Sequence, residues 1–495
     1  MKHSLVLTAI ILTLAVKAKS EIPAPEQLLP NDTLVLITAP DAAKYRAIVK
    51  ESPQSQLWND PAMKAFKDKF VTKFKSDLVA PLEKELGVKF SDYEGLAQGQ
   101  VTFAVVQNGW EGKTNALPGW ILLIDTKDKS GALKTNLANL KKKWVEAGKQ
   151  IKTEKIREID FATLITSTGD ISDIAEKIFP RNKANADEPK AAGQKLEIFV
   201  GQSGSLLLVG NSAKVIEKVL AHQAGAIAPS LMEVAPYEAN HNAMFRDAPV
   251  YFWVNVKPFV EIFTRQSADS EKTPANPLMP KPDKIISALG LSGLKTLALS
   301  YRSATEGASM QLSLGVPEAN RTGIFKILTA EKLESAPPSF VPIDVTKFWR
   351  WRLSLPKAWA GLENMLTGIS PSFGGVLQLV MDSAGKDKDP NYDLKKELVG
   401  NFGDDVISYQ RKPTNPSLAE VSAPPSLFLI GSPNAEKLAS AIKTGMSALL
   451  PAPMEERDFL GRKIYKLPSA PSAAKGAGGN LSFAPGGGYL ALSTD

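Results

Sequence analysis

The sequence predicts an internally duplicated α+β protein, with mainly antiparallel sheets and helices packed on one face of them. In residues 195–220, two apolar runs flank a Gly-Gln-Ser-Gly turn, which indicates a β-hairpin, and an apolar stripe at helical spacing follows. Residues 481–495 repeat the hairpin pattern without a gap. Because hairpins join most of the predicted neighbouring strands, we expect antiparallel sheets covered by helices.

The two hairpin copies match at equivalent positions when they are aligned without gaps. The matched pairs are Phe199 with Phe483, Gly204 with Gly488, Leu206 with Leu490, and Leu208 with Leu492. The second copy stops where its covering helix would begin, so we expect an incomplete unit and a C-terminally truncated fragment. The sheet face around Leu490 and Leu492 is then predicted to be bare, which favours self-association.

A longer pattern of strand, helices, hairpin and helix precedes the first hairpin copy. Its first strand is predicted at 34–39, and its hairpin at 100–107 and 120–125. Between them, Asp60 followed by Pro61 is typical of a helix start. The helix after it carries an apolar stripe made of Met63, Phe66, Phe70, Phe74 and Leu78. A final helix is indicated by apolar residues at helical spacing, namely Leu133, Leu137, Leu140 and Trp144.

The same long pattern recurs twice, with first strands predicted at 247–256 and 348–355. The short hairpin pattern follows the first and third occurrences only. We predict duplication of an α+β domain, because the repeats are too long and too interrupted for a solenoid. The predicted segments are a signal peptide at 1–20, a first domain at 21–240, a second long unit at 241–340, and a third long unit with an incomplete short unit at 341–495.

The first twenty residues have the features of an export signal. Lys2 and His3 precede an apolar run at 5–16 that is too short to span a bilayer comfortably, and small residues stand at positions 18 and 20. We expect cleavage before Glu21 and a mature chain in the periplasm or outside the cell. The alternative is an uncleaved anchor.

Composition restricts the class of function. The chain has no cysteine, so disulfides, thiolate nucleophiles and thiolate metal sites are excluded. Loss of the three lysines of the leader lowers the formal charge from +7 to +4, and this small excess, with interleaved signs, argues against nucleic-acid binding. No later apolar run is long enough for a transmembrane helix. The mature histidines, His222 and His241, lack a third ligand at matching spacing, so we expect surface groups and no metal, cofactor or catalytic role.

Two acidic residues, Asp404 and Asp405, precede a predicted strand. Such a pair can bind a cation or act as general acid and base, as in a hydrolase. An aspartate at a turn or strand start explains the pair equally well, and we favour that interpretation. The Gly-Gln-Ser-Gly-Ser segment at 201–205 lacks the glycine spacing and the helix of a nucleophile elbow.

The most unusual local composition is Phe-Trp-Arg-Trp-Arg at 348–352. In a strand, Trp349 and Trp351 lie on one face, and Arg350 and Arg352 lie on the other with Phe348. Exposed tryptophans beside arginines can stack on a sugar ring. We favour a tryptophan pair that faces the core, with the arginines at its rim.

The stripe from Met63 to Leu78 is accompanied by lysines, so it has two interpretations. A basic amphipathic helix can lie on an anionic membrane surface. The buried face of a domain helix is the interpretation that we favour, because such stripes face a core far more often and because Asp68 and Asp77 interrupt the lysines.

Four short motifs are spread over most of the mature chain: LLPNDT at 28–33, QLWNDP at 56–61, LKKE at 394–397 and GNFGDD at 400–405. With the export signal, they resemble an uncharacterised family of secreted bacterial proteins, a domain of unknown function. The resemblance implies an exported protein of Gram-negative type. It brings no activity, substrate or site residue.

The leading hypothesis is a non-enzymatic exported protein that serves as a binding or scaffolding component of the cell envelope. It depends on the export signal, the duplicated architecture and the lack of a nucleophile–base set in the sequence. The alternatives are a carboxylate-dependent hydrolase, with Asp404 and Asp405 as its pair, and a carrier of a glycan or an apolar ligand. The partner is an envelope component or another protein, and neither is identified by sequence.

Overall fold

The computed structural model describes residues 21–112, 117–167, 195–269, 280–304, 307–329, 333–387, 389–412, 426–449, 454–467 and 481–493. The predicted signal peptide lies outside these segments. Within them the protein is α+β, with two antiparallel sheets, and no helix is long and apolar enough to cross a membrane.

The chain divides into two compact units. One comprises Met1–Phe263 with Leu294–Gly315, and the other comprises Thr264–Gly293 with Val316–Asp495. The predicted middle segment, 241–340, is therefore divided between the two units. Its strands belong to the first unit, and most of its helical residues belong to the second.

Ten strands form the sheet of the first unit. They are β1 (Thr33–Ala39), β2 (Val101–Val106), β3 (Gly119–Asp125), β4 (Ile151–Ile156), β5 (Ile159–Ser167), β6 (Lys195–Ser203), β7 (Leu206–Gly210), β8 (Val250–Asn255), β9 (Thr296–Ala304) and β10 (Gly307–Gly315). All neighbours run antiparallel, in the order β10-β9-β8-β1-β2-β3-β7-β6-β5-β4. The pairing of β1 with β8, the first strands of two long units, joins β8, β9 and β10 to the other seven strands.

Helices connect these strands. Those that begin in the described part of this unit are α1 (Pro25–Leu28), α2 (Ala42–Glu51), α3 (Pro53–Asn59), α4 (Lys64–Phe74), α5 (Ala80–Leu86), α6 (Ser130–Glu146), α7 (Ala213–Gln223), α8 (Ala235–Asn240) and α9 (Val256–Asp269). The predicted start at Asp60 is confirmed, because its carboxylate accepts the Ala62 N–H at 2.8 Å and a short 3₁₀ helix then leads into α4. Ser212 caps α7 in the same way.

Helices cover both faces of the first sheet, so the prediction of helices on one face is wrong for this sheet. The reason is the alternation of side chains along each strand. On β7, Leu206 and Leu208 pack in the same core as Val215 of α7. On the same strand, Leu207 and its neighbour Val209 point the other way and pack against Leu133 of α6.

The second unit contains a sheet of seven strands. They are β11 (Val345–Arg352), β12 (Asp405–Arg411), β13 (Ser426–Gly431), β14 (Glu455–Phe459), β15 (Arg462–Lys466), β16 (Ser482–Gly486) and β17 (Tyr489–Ser493). Its described helices are α10 (Pro282–Leu289), α11 (Ile324–Leu328), α12 (Leu355–Ile369), α13 (Pro371–Ser383), α14 (Leu394–Val399) and α15 (Ala435–Leu449). All neighbouring strands are antiparallel, in the order β11-β12-β13-β17-β16-β15-β14.

The two sheets share one strand order. Within the first sheet, β1-β2-β3-β7-β6-β5-β4 follows the same path as β11-β12-β13-β17-β16-β15-β14 in the second. The remaining strands, β8, β9 and β10, follow the path of β1, β2 and β3 and have no short unit after them. The sequence of long, short, long, long and incomplete short units stays a prediction, and this shared strand order is the observation that bears on it.

The two hairpins are equivalent, but the predicted alignment between them is wrong by one residue. The last pair before each turn is Ser203 with Leu206 and Gly486 with Tyr489, so Leu207, rather than Leu206, corresponds to Leu490. A shift of one residue exchanges the two faces of a strand. Leu490 is fully buried with Leu438 of α15.

The predicted bare face around Leu490 and Leu492 is therefore also wrong. The helix that the second hairpin copy lacks would be the counterpart of α7. In the first sheet, α7 covers the face of Leu206 and Leu208, and the residue that corresponds to Leu490 lies on the other face. The face that carries Leu490 is covered by α15, the counterpart of α6, since each of these helices follows the third strand of its long unit. This face therefore gives no support to the predictions of self-association and of a C-terminally truncated fragment.

We expect Leu490→Ala to lower the free energy of unfolding by about 3 kcal/mol, because it opens a cavity under α15. Urea denaturation measures this change. Leu379→Ala on α13 is the matched control, since Leu379 is 66% exposed, and its expected effect is below about 0.5 kcal/mol. Equal small effects of the two substitutions would show that the sheet face is bare after all.

Candidate binding surfaces

The structure brings the predicted acidic pair together with the predicted arginines. Arg350 on β11 binds Asp405 on β12 through two parallel hydrogen bonds of 2.8 Å, from Nε to Oδ1 and from Nη2 to Oδ2. Arg352 donates to Asp404 at 2.8 Å. Tyr489 Oη on β17 donates to Asp405 Oδ2 at 2.9 Å. It reaches across the intervening strand β13 at Gly431, which has no side chain to block the contact.

These contacts determine the chemistry of Asp405. Burial by itself raises the pKa of this carboxyl, but hydrogen bonds from Arg350 and Tyr489 and the charges of both arginines outweigh it and hold the pKa below its ordinary value. A general acid in a hydrolase needs a raised pKa. The geometry therefore supports a structural role, in which Asp405 joins β11, β12 and β17.

Trp349 and Trp351 lie on the face of β11 opposite the arginine that binds Asp405. Their rings contact each other edge to face, with centroids 5.4 Å apart, and Trp349 stacks on Phe428 at 6.4 Å. Trp349 is 41% exposed, and Trp351 is half-buried. The pair thus packs on the sheet without being enclosed by a core, which leaves part of one indole face open.

The two histidines are less exposed than expected. His222 is buried, and its Nδ1 lies 2.9 Å from the carbonyl oxygen of Leu28. His241 Nε2 lies 3.4 Å from Glu26 Oε1. Both therefore hold the segment before β1 onto the core, which corrects the prediction of surface groups. Among the described residues, no cluster of three potential metal-ligating side chains occurs.

A cleft of about 1300 Å³ opens in the first unit where β1 and β3 end and β2 and β7 begin. Four of its polar side chains are engaged with one another. Asp125 accepts hydrogen bonds from Ser205 Oγ at 2.7 Å and from the Lys127 N–H at 3.0 Å. Lys127 Nζ in turn binds Asp41 at 3.1 Å. These contacts tie together the loops around the cleft, and the serine donates to a carboxylate rather than to an imidazole base.

A further exposed surface is formed by four aromatic rings on α3 and α4, and it is called the aromatic stripe below. It consists of Trp58, Phe66, Phe70 and Phe74. Successive centroids lie 5.7–6.3 Å apart. No residue of α3 or α4 is buried, and Phe66, Phe70 and Phe74 are 57%, 50% and 47% exposed. The interpretation of this stripe as the buried face of a domain helix is therefore wrong.

Lysines lie on both sides of the aromatic stripe. At 100° per residue, Lys67 and Lys73 flank Phe70 at about 60° on opposite sides of the helix. Lys67 Nζ also lies 5.9 Å from the centre of the Trp58 ring. Lys69 and Lys75 are exposed further round. The segment 64–75 contains five lysines and one acidic residue, Asp68.

The signal for this exposure was present in the sequence but was outweighed. Four of the eleven residues of α4 are lysines, and they lie between the stripe residues, so few side chains remain to make the flanks of a buried helix. The spacing predicts the helical pattern correctly, but it does not predict whether the stripe is buried. Burial depends on whether another element covers the stripe, which is a tertiary property.

Comparison with known proteins finds no match: no family model, no curated protein and no solved structure is similar to this chain.

Asp405→Asn is expected to lower the free energy of unfolding at neutral pH by about 3 kcal/mol, because it leaves Arg350, whose side chain is 11% exposed, without its counter-ion. The folded-state pKa of Asp405 is lowered, so its contribution is complete above the ordinary carboxyl value of about 4 and is lost as pH falls through the folded-state pKa. Urea denaturation of the wild type and of Asp405→Asn should show that their free energies of unfolding differ at neutral pH and converge at acidic pH.

Asp404→Asn is the matched control, because the Asp404 side chain is 52% exposed. Its expected effect is below about 1 kcal/mol. A difference between wild type and Asp405→Asn that stays constant as the pH falls would contradict the ion-pair account. So would an Asp405→Asn protein of unchanged stability.

Proposed function

We propose that this chain is a non-enzymatic, exported binding protein of the bacterial cell envelope that docks on the surface of an anionic bilayer through the aromatic stripe. The observation that carries the proposal is the exposure of three phenylalanines on one face of α4, with lysines on both flanks. Amphipathic helices of this composition lie in the plane of a membrane interface, with the apolar face sunk into the headgroup boundary.

The apolar part of the stripe has a suitable size for this role. Phe66, Phe70 and Phe74 extend over about 12 Å along the helix axis. Each ring is about half exposed, so each retains apolar surface that contact with lipid removes from water. Trp58 lies beside Phe66 and Phe70 and is partly exposed, and tryptophan is enriched at headgroup level in membrane interfaces.

The charges favour anionic lipid over a protein partner. Lysine is depleted in the cores of protein–protein interfaces, whereas lysines beside an apolar stripe extend their ammonium groups towards headgroup phosphates. Each lysine near an anionic surface contributes roughly 1 kcal/mol of binding. Asp68 is occupied by an ion pair with Lys64 on the side away from the stripe. Asp68, one of the two acids that argue against a membrane from sequence, therefore does not face the proposed contact.

Export to the envelope is part of the same proposal. It is supported by the leader pattern at 1–20. The shared strand order of the two sheets supports internal duplication of one α+β domain. The hydrolase alternative is weakened because both of its carboxylates are bound by arginines. The glycan alternative retains the open face of Trp349 as its support.

The test is sedimentation of the chain from Glu21 onward with lipid vesicles. We expect binding to vesicles that contain phosphatidylglycerol, little binding to pure phosphatidylcholine, and loss of binding at high salt, because salt screens the lysines. Replacing Phe66, Phe70 and Phe74 together by alanine should weaken binding roughly a hundredfold. Replacing Lys69, Lys73 and Lys75 by glutamine should have an effect of similar size.

The chain offers matched controls for both variants. Phe90, Phe373 and Phe459 are exposed phenylalanines outside the stripe, and Lys134, Lys141 and Lys142 are exposed lysines of α6. Alanine and glutamine substitutions of these sets should leave vesicle binding unchanged. Equal binding to both kinds of vesicle, or equal loss with the control sets, would refute the proposal. Binding to a polysaccharide that disappears with Trp349→Ala would support the glycan alternative instead.

A further inference from the structure

The edge strand β10 has unusual composition for its position. It pairs with β9 over nine residues in unbroken register, and no other described strand pairs with its outer edge. It contains neither a charged residue nor proline. Its apolar residues Met310, Leu312 and Leu314 are 69%, 58% and 41% exposed. A long, regular and uncharged edge is a template for pairing with another strand.

The other three sheet edges of the described chain carry the usual protection against such pairing. Charged side chains on an edge strand oppose the approach of another strand. They are Lys152, Glu154 and Lys155 on β4, Lys347, Arg350 and Arg352 on β11, and Glu455, Glu456, Arg457 and Asp458 on β14. The lack of protection is therefore specific to β10.

The repeat indicates what the outer edge of β10 accepts. β10 is the third strand of its long unit, as β3 and β13 are of theirs. β3 accepts β7 on the corresponding edge, and β13 accepts β17, both antiparallel. Both partner strands are uncharged and rich in apolar residues. The long unit that contains β10 has no short unit after it, so it supplies no such strand.

We propose that β10 pairs antiparallel with β10 of a second copy of this chain, which joins the two ten-stranded sheets. β10 has the composition of the strands that its counterparts accept, so one strand provides both the edge and the partner. Pairing about a two-fold axis perpendicular to the sheet places Met310, Leu312 and Leu314 of both copies on one face. The exposed apolar residues then become cross-strand neighbours.

The test is the mass of the mature chain in solution without lipid, measured by sedimentation equilibrium. We expect a dimer, at twice the mass of the chain. Ser309→Lys with Gln311→Lys places lysines on the exposed polar side of β10 and should weaken dimerisation at least roughly tenfold. Because both side chains are exposed in the monomer, the melting temperature should be unchanged, which separates loss of pairing from loss of folding.

Thr153→Lys on the opposite edge strand, β4, is the control and should leave the dimer intact. The chain has no cysteine, so Leu312→Cys provides a second measurement. Oxidation should cross-link this variant into a dimer, whereas Thr153→Cys should remain monomeric on denaturing gels. A monomeric wild-type chain, or a dimer that is weakened by Thr153→Lys and not by the β10 lysines, would overturn the proposal. Neither outcome depends on vesicle binding, which is tested separately.

Discussion

The antiparallel pairing of β1 with β8 is the contact on which the first unit depends. It brings together the first strands of two long units that are separated by more than two hundred residues, with Leu36 opposite Trp253. Both side chains are fully buried in the same core. Because β8, β9 and β10 have no short unit of their own, this pairing alone includes them in the sheet. It also makes β10 an edge.

α3 and α4 lie outside the core of the first unit, which other segments cover. The segment before β1 occupies one side of the sheet, where Tyr251 Oη donates to Glu26 at 3.1 Å and His222 contacts Leu28. α7 covers the neighbouring strands on that side, and α6 covers strands on the other. α3 and α4 contribute no buried residue to either side of the sheet. The aromatic stripe and β10 are two of the apolar surfaces that the fold leaves exposed, and each points to contact with something outside the chain.

Local features were predictable from sequence, and pairings between distant segments were not. The caps at Asp60 and Ser212, the strands and the helical stripe of α4 each follow from a few neighbouring residues. The register of the second hairpin was missed because a gap-free alignment places Gly204 on Gly488, whereas the turns themselves are aligned one residue earlier.

The candidate site was predictable to a similar degree. Alternation places Arg350 and Arg352 on one face of β11, and Asp405 starts another strand, but no local pattern shows that β11 and β12 are neighbours. The ion pair that removes Asp405 from general acid chemistry follows only from that neighbourhood. The exposure of the aromatic stripe likewise depends on which helices cover the sheet, and sequence periodicity cannot distinguish an uncovered stripe from a covered one.

The most direct measurement of the central claim is the depth of the stripe in a bilayer. Since the chain has no cysteine, a nitroxide label can be attached singly at Met63→Cys, just before α4 on the same side as the stripe, or at Thr72→Cys, on the opposite side of α4. With anionic vesicles, electron paramagnetic resonance should find the label at 63 accessible to oxygen and protected from a water-soluble nickel complex, while the label at 72 remains in water. Two labels that both remain accessible to the nickel complex, or a label at 72 that is the more deeply buried, would contradict the account.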